Sequence, residues 1–274
     1  MIMKKYVIYT NPNKDKNLEV SGRVKLFLED RGAEVSFFKD YAGEYTEDVC
    51  MIVLGGDGTM LRAYMETGFA MQGPMVGINL GTLGFLAEID NNSSNIERSL
   101  EKLLSDDYRI EKRMLLEGSI NGKDKICALN DVVLARKSGL YVLNFNIFVN
   151  GQPLVNYSAD GIIVSTPTGS TGYNLSAGGP IASPASELIM LTPICPHTLN
   201  HRSIILSSED EITIVIPESK EGGTQELEIS FDGSRKETVH TGDSIKITRS
   251  DRYATFAKIG KDSFVEVLNR KMNE

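Results

Sequence analysis

The feature that most constrains the fold is a change of hydrophobic period near Tyr108. Before it, short apolar runs alternate with helical stripes. Residues 6–9 read as a strand; Val20, Val24, Phe27 and Leu28 recur at helical spacing and stop at Gly32; residues 35–38 are the next strand. Residues 49–54, V-C-M-I-V-L, are apolar throughout and predict a buried strand, followed by a glycine turn, a helix over 60–71 and a strand over 75–79. Ile96, Leu100, Leu103 and Leu104 mark a further helix, with Ser93 or Ser94 as its cap. Such alternation implies a parallel sheet covered by helices, whose ligands bind beyond the carboxyl ends of the strands. Residues 55–59 and 79–85, both rich in glycine, would lie there.

After Tyr108 strands follow one another. Leu143, Phe145, Ile147 and Val149 alternate with Asn144, Asn146 and Phe148 before Asn150-Gly151, which predicts a hairpin. Apolar runs at 162–164, 204–206, 212–216, 227–231 and 245–248 continue the series. The expected fold is an α/β N-terminal domain, a parallel sheet with helices, over residues 1–105, then a mostly β C-terminal domain over 106–255. Residues 256–274 form a tail whose apolar stretch, 264–272, docks back on the body.

A chain of 274 residues, 41 % hydrophobic, is long enough for two cores. Its 29 basic and 37 acidic residues give a net charge of -8 with no Lys/Arg cluster, which argues against nucleic acid as a partner. Anionic metabolites stay open, because a pocket can present local cations and backbone N–H groups whatever the global charge. The apolar run near the N-terminus is too short for a signal-peptide core or a membrane span, so no membrane association and a cytoplasmic location are expected. Cys50, Cys127 and Cys195 are odd in number and widely spaced, which points to buried free thiols rather than disulfides or zinc. His197 and His201 stand four apart, but Pro196 and Asn200 break the helix that would pair them on a metal, and no metal ligand is assigned.

Chemistry concentrates in a few segments. Gly55-Gly56-Asp57-Gly58-Thr59 sets an acid inside a turn whose bare backbone and helix start favour phosphate. Like charges repel, so Asp57 needs another role: base, metal ligand or helix cap. Neither G-x-x-x-x-G-K-[ST] nor a kinase H-R-D or D-F-G set occurs, and the dinucleotide fingerprint fails at Leu61. Ser170 lacks the G-x-S-x-G context of a hydrolase nucleophile. Alone, Asn130-Asp131 reads equally as a turn and Asp160-Gly161 as a hairpin turn.

Taken with Gly81-Thr82-Leu83-Gly84-Phe85, Asn130-Asp131, Asp160-Gly161, the run from Thr166 through Thr168, Gly169, Ser170, Thr171 and Gly172 to Tyr173, Pro196-His197-Thr198-Leu199 with Arg202, and Asp232-Gly233, the glycine turn closely resembles the NAD kinase family over most of the chain. The first motif alone is shared with lipid kinases and some phosphofructokinases. The resemblance implies transfer of the γ-phosphate of ATP, or of polyphosphate in some members, to the 2′-hydroxyl of the adenosine ribose of NAD, giving NADP. It implies Asp57 as the catalytic base, with Mg²⁺ as the divalent cation that offsets charge. Gly56, Gly58 and Thr59 would bind substrate at the turn, and Phe85 would wall the adenine. Asn130, Asp131 and Asp160 would bind on the nicotinamide and ribose side. Thr168, Ser170, Thr171, Tyr173 and Ser176 would line the dinucleotide pockets. A homodimer or homotetramer is implied, with the site in a cleft between domains and completed by a neighbouring subunit. Two positions depart from the family pattern: Gly172 where alanine is expected, and Asp131 where glutamate is more usual. A lipid kinase and a non-catalytic dinucleotide sensor are the rival readings; no basic amphipathic helix supports the former.

Overall fold

The computed structural model describes residues 5–81, 84–139, 141–197, 202–219, 222–260 and 262–273. Thr82, Leu83, Thr198, Leu199, Asn200 and His201, named above, lie outside the described residues. The chain divides into two compact units, Met1–Lys112 with Ala254–Glu274, and Arg113–Tyr253.

The first unit opens with β1 (Lys5–Thr10), α1 (Glu19–Glu29), β2 (Glu34–Phe37), β3 (Val49–Leu54), α2 (Asp57–Glu66), β4 (Met75–Asn79), β5 (Ile89–Asp90) and α3 (Ser93–Leu104). Its strands run parallel in the order β2-β1-β3-β4, with Ile78 of β4 opposite Ile89 of β5. All six residues of β3 are buried, as a central strand covered on both faces requires. Ile52, Leu54, Val76 and Ile78 pack with Val24 and Leu28 of α1 and Ile96, Leu100 and Leu103 of α3. Each such side chain taken from water contributes about 1.5–3 kcal/mol. Gly77 permits a close approach: a Cβ there would lie 2.7 Å from the Ala87 Cα and 2.9 Å from the Met60 sulfur.

The helix after the glycine turn starts earlier than its apolar residues suggest, at Asp57, and stops at Glu66 instead of Met71. Gly68 and Phe69 follow it with φ of 65° and 57°, a left-handed pair that cannot continue a helix. The cap of α3 is Asn92, not Ser93 or Ser94; its side chain accepts the Ser94 N–H at 3.1 Å.

The second unit is all antiparallel. Its strands are β6 (Arg109–Ile120), β7 (Ile126–Ala128), β8 (Asp131–Arg136), β9 (Leu143–Val149), β10 (Gln152–Ala159) and β11 (Gly161–Ser165), then after a short helix α4 (Tyr173–Ser176) β12 (Leu188–Ile194), β13 (Ile204–Ser207), β14 (Ile212–Val215), β15 (Glu226–Phe231), β16 (Arg235–His240) and β17 (Ser244–Lys258). One sheet has the order β13-β12-β11-β8-β15-β16; the other runs β10-β9-β14-β17, with β6 beside β17 and β7 beside β6. The two enclose one core, in which Val132, Leu134, Ile162 and Val164 of the first sheet meet Phe145, Ile147, Ile214 and Ile245 of the second. Asn150 and Gly151, with φ of 49° and 76°, form the tight β9–β10 turn.

Asp160-Gly161 is not a hairpin turn. β10 pairs with β9, whereas β11 pairs with β8 and β12, so Asp160 stands where the chain leaves one sheet for the other. Gly161 is required there because a Cβ would meet the Leu134 carbonyl at 2.5 Å. Of the cysteines, Cys50 and Cys127 are buried but Cys195 is exposed, in a left-handed residue with φ of 43° just after β12.

β17 carries the chain back to the first unit, where Phe256 pairs with Met75, and α5 (Phe264–Met272) ends it. Ser263 and Glu266 close a capping box at the start of α5. Among the described residues no helix is long and apolar enough to cross a membrane.

Candidate functional site

In the first unit the site is built at the carboxyl ends of β1, β3 and β4. Gly55 donates its N–H to the Ile78 carbonyl at 2.9 Å, tying the glycine turn to the end of β4. Gly55 must be bare because the Thr59 side chain, which is buried, fills the place of its Cβ. Gly56 caps α2 with extended backbone, and Asp57 is the first residue of the helix, so the helix-cap reading of this acid does not hold. Its carboxylate instead reaches across to the segment after β4. Oδ2 accepts the Phe85 N–H at 2.7 Å, and Oδ1 accepts those of Leu86 and Ala87 at 3.0 and 3.2 Å. Gly84 allows this, since any Cβ there would collide with the carboxylate. Two carboxylate oxygens offer about four lone pairs, so one on Oδ2 stays open. Gly58 is exposed beside it, and the Phe85 ring is partly exposed with its centroid 6.3 Å from that of Phe264.

The second unit brings together the other expected residues. Asn130 and Asp131 stand at the entry to β8, and Asp232, just past β15, gathers their backbone. Its Oδ2 accepts the Leu129 N–H at 2.8 Å and its Oδ1 accepts Asn130 at 2.7 Å and Asp131 at 3.2 Å. Asp131 is buried; burial, then the Asp232 charge, pushes its carboxyl up to about 7. Asp232 keeps some surface as a residue, but desolvation of its carboxyl raises that group too, against the pull of its three N–H donors. The Asn130 Oδ1 is buried with no hydrogen-bond partner, a state a ligand donor would relieve.

The loop from Thr166 folds against Asn130. Thr166 donates its N–H to the Asn130 carbonyl at 2.9 Å and its hydroxyl to the Leu129 carbonyl at 2.6 Å. Gly169 is forced by close approach, as a Cβ would strike the Asn130 carbonyl. Thr168 is buried and accepts from the Arg113 guanidinium at 3.3 Å. Thr171 is partly exposed; Tyr173, 47 % exposed, and Ser176 open to solvent at the two ends of α4. Ser170 departs from expectation. It has no exposed surface and donates its hydroxyl to the Ala182 carbonyl at 3.2 Å, so it braces the loop from inside instead of facing a ligand.

Asp160 is held bidentate by Arg136, with both N–O distances 2.9 Å, and lies 3.7 Å from the His197 Nε2. Arg136 and Asn174 escape a reading of the sequence, and Asp232 enters it only within the family motif Asp232-Gly233, with no role given. Asn174 is fully buried, donates to the Pro180 carbonyl at 2.9 Å and accepts the Thr192 hydroxyl at 2.7 Å, fixing the loop that carries Tyr173. Asp232 and Asn174 pair with residues distant in sequence or with backbone, partners that no local pattern announces.

Comparison with known proteins accounts for this arrangement. Residues 46–108 match the ATP-NAD kinase N-terminal domain and residues 129–259 the ATP-NAD kinase C-terminal domain. The NAD kinase of Lachnospira eligens is 44 % identical, with 98 % of this chain and 100 % of that protein covered; the NAD kinase of Lachnoclostridium phytofermentans is 42 % identical, covering 99 % and 100 %. Among solved structures, yeast NADH kinase complexed with NADH superposes with a TM-score of 0.83 at 25 % identity, covering 99 % of this chain and 88 % of that one. An Archaeoglobus fulgidus NAD kinase in complex with ATP gives 0.75 at 26 %, covering 94 % and 95 %. Two domain matches and near-complete relatives above 40 % identity are decisive: the chain belongs to the NAD kinase family.

Proposed function

We infer that the chain transfers the γ-phosphate of ATP to the 2′-hydroxyl of the adenosine ribose of NAD, giving NADP and ADP. The observation that carries the mechanism is the Asp57 carboxylate, fixed by three backbone N–H groups beside an exposed glycine, with an open lone pair on Oδ2. A ribose hydroxyl is a poor nucleophile at neutral pH and needs a positioned acceptor for its proton. In the step, the bond from the 2′-oxygen to the γ-phosphorus forms, the bond from that phosphorus to the β–γ bridging oxygen breaks, and the hydroxyl proton passes to Asp57. Positioning and charge stabilisation do most of the catalysis in such a transfer. Gly56 and Gly58 give the phosphates access to backbone, and Phe85 offers its ring to the adenine. Asn130 orients the dinucleotide through its unpaired Oδ1, with Tyr173 and Thr171 as exposed contacts of the same unit.

Among the described residues no three His, Cys, Asp or Glu side chains come together as a metal cage. Mg²⁺ carried in on the donor's phosphates, with water completing its shell, would offset charge on the transferring group and leave the open Oδ2 position of Asp57 to the ribose hydroxyl. Inorganic polyphosphate is proposed as a second donor, since the glycine turn offers contacts to phosphate and none to a base. We assign the protein a cytoplasmic homodimer or homotetramer in which the Asp160 region acts on a neighbouring subunit's site; the exposure of His197 and Cys195 beside Asp160 favours this.

The test is acceptor choice. With ATP and Mg²⁺, NAD yields a product that an NADP-specific dehydrogenase reduces, and diacylglycerol yields none. Phosphorylation of the lipid, or NAD binding without turnover, would replace this reading with one of its rivals.

A further inference from the structure

We propose that Lys14 is the cation that holds the terminal phosphates of the phosphoryl donor over the glycine turn. The proposal rests on the reaction assigned above and adds a residue to it. In the order β2-β1-β3-β4 the chain builds outward from β1 on one side to β2, then returns to the other side with β3. A crevice opens at the carboxyl ends of two such strands, and ligands of open α/β sheets bind there. The loop after β3 is the glycine turn; the loop after β1 carries Lys14.

That second loop is firmly built. Asn11 donates its N–H to the Leu54 carbonyl at 3.1 Å, pinning the loop to the end of β3, and its own carbonyl accepts the N–H groups of Lys14 and Asp15, both at 2.9 Å. The Asn11 side chain accepts the Asn13 N–H at 3.0 Å. Asp15, 2 % exposed, anchors the far side by accepting the Thr10 hydroxyl and the N–H groups of Val20 and Ser21 at 2.9–3.2 Å. From this base the Lys14 ammonium reaches back over bare backbone. It stands 3.1 Å from where a Cβ on Gly81 would be and 3.8 Å from the same point on Gly56. Two glycine segments, after β3 and after β4, are thus spanned by one ammonium group. Among the described residues no carboxylate pairs with Lys14, and the residue is exposed. An ammonium is a compact point charge with three donors, suited to phosphate oxygens and indifferent to the base they carry. In a chain of net charge -8, such a local cation is what lets a polyanion approach a turn that also holds Asp57.

Lys14→Met and Lys14→Arg in the full chain test this. Lys14→Met should raise the KM for ATP about 10–100-fold, the loss of a hydrogen bond to a charged group, and leave the KM for NAD within about twofold. Lys14→Arg should restore most of the ATP affinity. Calorimetric titration with inorganic tripolyphosphate, which requires no turnover, should show the same loss in Lys14→Met and none for adenosine. An unchanged KM for ATP with unchanged tripolyphosphate binding, or equal rises for ATP and NAD, would overturn the assignment. Failure of the wild-type protein to make NADP would instead defeat the reaction itself, and the tripolyphosphate titration would still decide the role of Lys14. Equal thermal midpoints for the variants and wild type exclude a folding defect.

Discussion

Two aspartates, one in each unit, make the same hydrogen-bond pattern and do different work. Asp57 and Asp232 each take one backbone N–H on Oδ2 and two on Oδ1, from three consecutive residues distant in sequence. Each thereby fixes a segment that bears expected binding residues, Phe85 in one case and Asn130 and Asp131 in the other. The surroundings differ. Asp57 sits between glycines at the carboxyl edge of a parallel sheet, open to a ligand. Asp232 has a desolvated carboxyl and a buried acid, Asp131, for a neighbour. Identical donors do not set a carboxylate's role; access to substrate and the charge next door do.

Three substitutions sharpen this contrast, in decreasing order of effect. Asp232→Ala leaves three N–H groups without an acceptor and should cost about 3 kcal/mol or more, a fall of roughly 6–12 °C in thermal midpoint, with a raised KM for NAD as residues 129–131 loosen. A midpoint within about 2 °C of wild type would mean that those bonds contribute little.

Asp131→Asn separates the pair. A carboxyl whose folded pKa is raised from the ordinary 3.8 to about 7 contributes stability fully present below the ordinary value and lost as pH rises through about 7. The wild-type protein should therefore lose stability between about pH 4 and pH 7 through this group. Asparagine cannot ionise, so the variant should melt higher than wild type at pH 8, by roughly 2–5 °C, with the gap closing toward about pH 4. A gap independent of pH would show that neither burial nor the Asp232 charge raises the Asp131 carboxyl in the folded chain.

Gly172→Ala restores the residue expected in this family. Gly172 has φ of −97° but ψ of −131°, between the regions that residues with a Cβ favour, and a Cβ would sit 3.3 Å from the Gly169 carbonyl and 3.5 Å from the Asn130 amide nitrogen. The methyl finds space but strains the backbone, so the midpoint should fall by about 1–3 °C, while the KM for NAD changes less than about threefold. Melting at or above wild type would show that the loop relaxes without cost.

Much of this was legible in the sequence, for physical reasons that also explain the gaps. The runs at 49–54 and 75–79 match β3 and β4 because a strand buried on both faces is apolar throughout and ends at glycine or asparagine. The Asn150-Gly151 hairpin reads directly because only such residues accept two left-handed positions in succession. Local signals fail where tertiary structure decides. The start of α2 is hidden by glycines, which a propensity argument assigns to a loop, and its end lies five residues earlier than the last methionine of the stripe suggests. Asp160-Gly161 carries a turn signal, but each flanking strand finds partners elsewhere, so the pair serves a crossing between sheets. Ser170 sits in a segment dense with hydroxyls, and nothing in its neighbours tells that it points inward. The Asp57 motif declares an acid at a phosphate turn; that its carboxylate also organises residues 85–87 depends on a contact no spacing rule encodes.

The most direct test of the central claim is Asp57→Asn, read by two measurements on one preparation: NAD affinity by calorimetry and turnover by NADP formation. With the proposed proton acceptor lost and the proposed dinucleotide contacts of Asn130 and Tyr173 kept, NAD should bind within a few-fold of wild type while kcat falls about 10³-fold, the range of a lost general base. A variant that turns over within tenfold of wild type would contradict the account and move the base elsewhere.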